Sequence, residues 1–163
     1  MADLSRLAAQ ALEAARQADM SIVTAESCTG GKLASLLSET PGAGELLHGG
    51  FVTYTKANKT KALGVSASLL AERGAVCPEV AVAMAEGALV HSPATIAVAI
   101  TGVAGPDPDE DGNPVGLVCM AVARKHEQAS HLERRYGDIG RDRVCEQAMA
   151  DALLQLIRRL KSG

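Results

Sequence analysis

Apolar residues recur at helical spacing near the N-terminus, at Leu4, Leu7, Ala8, Ala11, Leu12 and Ala15. That period predicts a helix over 4–17. The next apolar stretch is different in kind. Ser21-Ile22-Val23-Thr24-Ala25 is short, continuous and β-branched, as expected of a strand buried on both faces. A turn through Glu26-Ser27-Cys28 follows, then a helix from about Thr29 to Leu37 that stops before Pro41-Gly42. His48 to Tyr54 reads as a second strand, and Thr95 to Ile100 as a third buried one. Ser66 is placed to cap a short helix over 67–73, and Pro78 to open another through Val90. Strands are expected over 115–123 and 129–136, and a long closing helix over 141–160. A lysine-bearing stretch after Tyr54 leads into Leu63-Gly64-Val65.

Helices interleaved with continuous apolar strands predict an α/β fold. The expected form is a single three-layer α/β/α domain over 1–163, with a mostly parallel or mixed sheet. Ligands in such folds sit where strands end and helices begin. Two glycine-rich strand ends qualify, Ser27 to Gly31 and Thr101 to Pro106.

Composition narrows the function classes. The chain has 163 residues, 47% apolar and 21% charged, with a formal net charge of −3. Nothing in that balance suits nucleic acid or an acidic membrane surface. The N-terminal segment is charged throughout and lacks the apolar stretch of a secretion signal, so a cytoplasmic protein is expected. Cys28, Cys77, Cys119 and Cys145 lie far apart and read as free thiols. Neither they nor the four histidines show metal-ligand spacing, and neither a metal nor a cofactor is expected.

At the Ser27 turn, local chemistry supports two readings. In one, Ser27 or Thr29 caps the following helix. In the other, Ser27 is a nucleophile, with the backbone N–H groups of Cys28, Thr29 and Gly30 free to hold an oxyanion. Gly30 and Gly31 would then let a ligand approach the backbone. A phosphate-binding P-loop is disfavoured, because Gly30-Gly31-Lys32 lacks the upstream glycine and the hydroxyl residue after the lysine. A serine nucleophile needs a base, and no histidine occupies a strand-end motif. A lysine can serve if burial or neighbouring cations lower its pKa. Lys56, Lys59 and Lys61 all qualify by position, and spacing does not choose among them.

Several motifs occur together in order: Thr24 to Gly31 (TAESCTGG), Gly50 to Tyr54 (GFVTY), Leu63-Gly64-Val65, Gly74-Ala75-Val76, Thr101 to Pro106 (TGVAGP), Pro114-Val115-Gly116 and Gly140-Arg141-Asp142. This set resembles the CinA carboxy-terminal domain family across essentially the whole chain. The molybdopterin-binding-like domain that precedes the module in longer relatives is not found in these 163 residues. The resemblance implies hydrolysis of the carboxamide of nicotinamide mononucleotide, with a small nucleotide as the partner and a homodimer as the preferred assembly. It also implies that Ser27 is the nucleophile, that Lys59 is the base, and that Tyr54 joins them. By the same resemblance, Cys28, Thr29, Gly30, Gly31, Thr101, Gly102, Ala104 and Gly105 line the substrate site, with Arg141 on the phosphate. Two departures stand out. Cys77 occupies a position where relatives commonly have serine, and Cys145 one where they often have arginine. Rival expectations are a nucleotide-binding module without catalysis and an interaction protein tied to DNA uptake or damage.

Overall fold

The computed structural model describes residues 3–162. Five strands form one sheet in the order β2-β1-β3-β4-β5. They are β1 (Ile22–Glu26), β2 (Leu47–Val52), β3 (Ile96–Gly102), β4 (Leu117–Arg124) and β5 (Ser130–Arg135). β1 runs parallel to both β2 and β3, whereas β4 pairs antiparallel with β3 and β5. The sheet is therefore mixed. Burial follows position: β1 is buried throughout, and the edge strands β2 and β5 alternate or face outward. Charged side chains in Ser130–Arg135 make that edge a poor template for further strand pairing.

Helices cover both faces. On one, α1 (Leu4–Ala18), α2 (Lys32–Ser38), the short α3 (Ala43–Leu46) and α7 (Arg141–Lys161) pack on Ile22, Val98, Ile100, Met120 and Val122. On the other, α4 (Lys56–Leu63), α5 (Ala67–Arg73) and α6 (Pro78–Val90) pack on Val23, Ala25, Ala97, Ala99 and Cys119. The alternation of Ile22/Val23 and Val98/Ala99 across the sheet is the two-residue pleat that separates these cores. No helix among the described residues is long and apolar enough to cross a membrane.

The connection from β1 to β2 passes over one face, through α2 and α3. The connection from β2 to β3 passes over the other, through α4, α5 and α6. The strand order reverses at β1, which opens a crevice at the carboxyl ends of β1 and β3. Both glycine-rich strand ends lie there.

Helix α4 is the element that hydrophobic periodicity did not announce. Thr55 caps it by accepting from the Asn58 N–H, and Gly64 ends it in the left-handed conformation. Its inward positions are Lys59 and Leu63, four residues apart on one face. Gly87 of α6 lets α4 come close, since a Cβ there would overlap the Leu63 carbonyl oxygen. Helix α2 starts at Lys32, three residues later than expected. Gly30 (φ 60°) and Gly31 (φ 97°) are both left-handed and hold the chain in a turn before the helix begins.

Cys77 is the N-cap of α6, in extended conformation and with no side-chain capping bond. Serine at this position would accept from the first turn as caps ordinarily do. Cys77→Ser is expected to stabilise the protein by about 0.5–1 kcal/mol, read as a higher midpoint in denaturant unfolding; an unchanged or lower midpoint contradicts the capping argument.

Candidate active site

Ser27 is the first residue after β1. Its N–H donates to the Ile100 carbonyl on β3 at 3.0 Å, which extends the strand pairing by one step. The turn then leaves Ser27 Oγ facing the crevice, where Lys59 Nζ lies 2.9 Å away. Of the three lysines after β2, Lys59 is the one the fold brings to Ser27. Lys56 points to the rim and pairs with Asp111 at 2.6 Å, and Lys61 occupies the last turn of α4 without such a contact.

The amine of Lys59 is held on three sides. Besides Ser27 it reaches the Thr53 carbonyl at 2.8 Å and the Tyr54 carbonyl at 3.5 Å. Lys59 is only 1% exposed, and among the described residues no carboxylate forms an ion pair with it. Burial lowers its pKa to about 8, with the positive charge of Lys56 adding a smaller push in the same direction. The amine is thus partly neutral near physiological pH. A neutral amine has two N–H donors and one lone pair. Two carbonyl oxygens can take the donors, which turns the lone pair toward the Ser27 hydroxyl.

A cavity of about 350 Å³ opens over this pair. Thr101 to Gly105 form its floor, and Tyr54, Arg141 and the acidic loop 107–111 form its walls. Tyr54 is exposed, and its hydroxyl accepts from the Arg141 guanidinium at 3.0 Å rather than touching Ser27 or Lys59. Its link to the dyad is its main-chain carbonyl. Arg141, at the start of α7, also donates to the Gly105 carbonyl at 2.8 Å, bridging two walls of the mouth. The opposite wall is docked through Asp111, which accepts from Lys56 and from the Ala75 N–H at 3.2 Å.

Several expected site residues fall elsewhere. Thr29, Gly30 and Gly31 do not line the cavity. Thr29 is fully buried and donates to Glu26 at 2.6 Å, while the Gly30 N–H is bonded to the Ser27 carbonyl at 3.0 Å and so cannot hold an oxyanion. The Cys28 N–H donates to no other residue among the described ones, and Cys28 lies beside Ser27 on the cavity lining. Neither Ser27 nor Thr29 caps α2. The Glu26 carboxylate does, accepting from the Leu33 and Ala34 N–H groups at 2.8 and 3.0 Å. Burial pushes the Cys28 thiol up to about 12, so it stays protonated and unreactive. Cys145 is buried below the floor and donates to the Cys28 carbonyl at 3.6 Å. No cluster of three or more His, Cys, Asp or Glu side chains among the described residues is placed to hold a metal ion.

Residues 4–160 match the CinA C-terminal domain. The chain belongs to this family. A CinA-like protein of Synechococcus sp. (strain RCC307) is 44% identical over 153 residues, which cover 93% of this chain and 36% of that protein. The chain spans about a third of the length of several curated CinA-like relatives it matches. A nicotinamide-nucleotide amidohydrolase, PncC, of Pseudomonas putida is 42% identical and is matched nearly end to end, over 96% of this chain and 98% of that protein. Among solved structures, competence/damage inducible protein CihA from Agrobacterium tumefaciens superposes with a TM-score of 0.92 at 40% identity, covering 97% of this chain and 96% of that one. The CinA-type sheet and its crevice are thus shared at the level of backbone.

The buried amine has a stability consequence. The unfolded chain holds the Lys59 proton up to about pH 10.4, whereas the folded chain releases it near 8. Between those values the unfolded state binds more protons, so stability rises with pH across that window. Below about 8 the protein carries the full cost of a buried ammonium. Lys59→Met is expected to stabilise the fold at pH 7 by about 1–3 kcal/mol, with the gain shrinking toward pH 10. Denaturant unfolding at both pH values measures it, and destabilisation at pH 7 contradicts the burial argument.

Proposed function

We propose that this CinA-domain protein hydrolyses the carboxamide of nicotinamide mononucleotide to nicotinate mononucleotide and ammonia, with Ser27 as nucleophile and Lys59 as general base. The observation that carries the reading is the 2.9 Å contact between Lys59 Nζ and Ser27 Oγ, made inside a cavity by an amine with a lowered pKa. A lysine kept to cap carbonyls or anchor a surface would gain nothing from losing its charge. The substrate comes from the activity named for the Pseudomonas putida relative.

Neutral Lys59 takes the Ser27 proton as Oγ bonds to the amide carbon. The carbonyl oxygen becomes an oxyanion beside the Cys28 N–H. Collapse breaks the C–N bond, and Lys59 returns its proton to the leaving nitrogen, which departs as ammonia. Water then attacks the acyl-enzyme with Lys59 again as base, releasing the nicotinate carboxylate and restoring Ser27. The Tyr54 ring on the cavity wall offers a stacking surface for the pyridine ring. The Arg141 guanidinium at the mouth is placed for the phosphate.

Ser27→Ala and Lys59→Ala are each expected to lower ammonia release from nicotinamide mononucleotide by at least about 10³-fold. Turnover near wild type in Ser27→Ala would end the mechanism, and ligand binding without ammonia release by wild type would favour a binding module. Because the base must be neutral, kcat/KM is expected to fall about tenfold per pH unit below about 8 and to level off above it. A profile flat from pH 6 to 9 would remove Lys59 from the role.

A further inference from the structure

Glu26 is a fully buried titratable residue for which the mechanism above has no use. Its carboxylate is 0% exposed and has no cation beside it among the described residues. It accepts four hydrogen bonds instead. Oε1 takes the Thr29 hydroxyl at 2.6 Å and the Leu33 N–H at 2.8 Å. Oε2 takes the Thr24 hydroxyl at 3.2 Å and the Ala34 N–H at 3.0 Å. Burying a carboxylate is costly unless its lone pairs are filled, and an ordinary cap, at the residue just before the helix, is an extended residue whose own side chain accepts from the first turn. The chain has Gly31 there, with no side-chain cap.

What the distant cap does, and a local one would not, is to close the chain around Ser27. The carboxylate leaves from the residue before Ser27 and grips the helix six residues beyond it. The main chain of Glu26 acts on the other half of the dyad. Its carbonyl accepts from the Thr53 N–H at 2.8 Å, and the Thr53 carbonyl in turn receives Lys59 Nζ at 2.8 Å. One residue therefore braces the nucleophile's turn with its side chain and the base's anchor with its backbone.

We infer that Glu26 is a positioning residue, whose buried carboxylate fixes the β1–α2 turn so that Ser27 Oγ sits within hydrogen-bond reach of Lys59 Nζ. The inference rests on the dyad proposed above. Glutamine is the informative replacement. Each carboxylate oxygen receives one backbone N–H, so either orientation of a glutamine amide sets its NH₂ against a main-chain donor. Hydroxyls can rotate to accept, but backbone N–H groups cannot. The turn must shift.

The test measures steady-state hydrolysis of nicotinamide mononucleotide together with the rate at which a fluorophosphonate labels Ser27, followed by intact mass. Glu26→Gln is expected to lower kcat and the labelling rate at least tenfold, with KM within about twofold and a cooperative thermal transition retained. Thr29→Val, which removes one donor and keeps the shape, is expected to lower both rates about threefold with KM unchanged. It decides the matter if Glu26→Gln does not fold. Labelling and kcat within twofold of wild type in a folded variant would overturn the inference, as would a loss confined to KM. Failure of the wild type to release ammonia while Ser27 still labels would instead count against the substrate reading and leave the labelling comparison to decide on Glu26.

Discussion

An ammonium group removed from water must be paired, neutralised or exposed, and among the described residues Lys59 has neither a carboxylate partner nor solvent. The remaining course is to lose its proton easily. That requires a dry site whose acceptors are neutral carbonyls and a hydroxyl, which is what Thr53, Tyr54 and Ser27 provide. Much of the surrounding architecture follows from holding that amine in place. Helix α4 must run against the sheet closely enough for a four-carbon side chain to reach the end of β1. The missing side chain of Gly87 lets it do so, and Leu63, one turn along, anchors the same face in the apolar core.

The sheet supplies the other half of the constraint. A serine at the end of a parallel strand buried between two neighbours is fixed by the ladder on both sides. Ser27 adds one further rung to β3, and Glu26 one to the segment after β2. Ser27 and the Thr53 carbonyl that holds Lys59 are thereby tied to one rigid surface, while the side chains of Tyr54, Arg141 and the acidic loop hang from its rim. That division separates parts that must not move from parts that can adapt to a ligand. The Arg141 bridge to Tyr54 and Gly105 involves exposed groups whose hydrogen bonds a ligand anion can replace.

The alternating faces of the strands made most of the fold legible. Ile22, Val23 and Ala25 are apolar and Thr24 is β-branched, so β1 declared itself as a short run without charge, and the continuous apolar residues of β3 and β4 did the same. Helix α4 stayed hidden because its inward face consists of one leucine and the buried lysine that reaches Ser27. A functional residue placed where an apolar one belongs erases the period by which a helix is recognised. The choice of Lys59 over Lys56 and Lys61 came from family resemblance, since nothing in composition separates three lysines within six residues. Glu26 lay inside the TAESCTGG motif with no role attached. A carboxylate that caps a helix seven residues away leaves no trace in local spacing.

The two cysteine departures weigh differently once their surroundings are known. Cys77 occupies a cap position in an apolar cluster, so its effect falls on the stability of α6. Cys145 lies on the inward side of α7, 1% exposed, with its thiol against the Cys28 carbonyl. A long cationic side chain could not occupy that space as it stands without moving the Cys28 turn. Arg141 is left as the arginine on the cavity wall. Its guanidinium stands at the start of α7, where the unpaired backbone N–H groups of the first turn carry the same sign of charge. The Ser27–Lys59 contact itself does not depend on that change, because the groups that hold the Lys59 amine are Ser27 just after β1 and the Thr53 and Tyr54 carbonyls between β2 and α4, and none comes from α7.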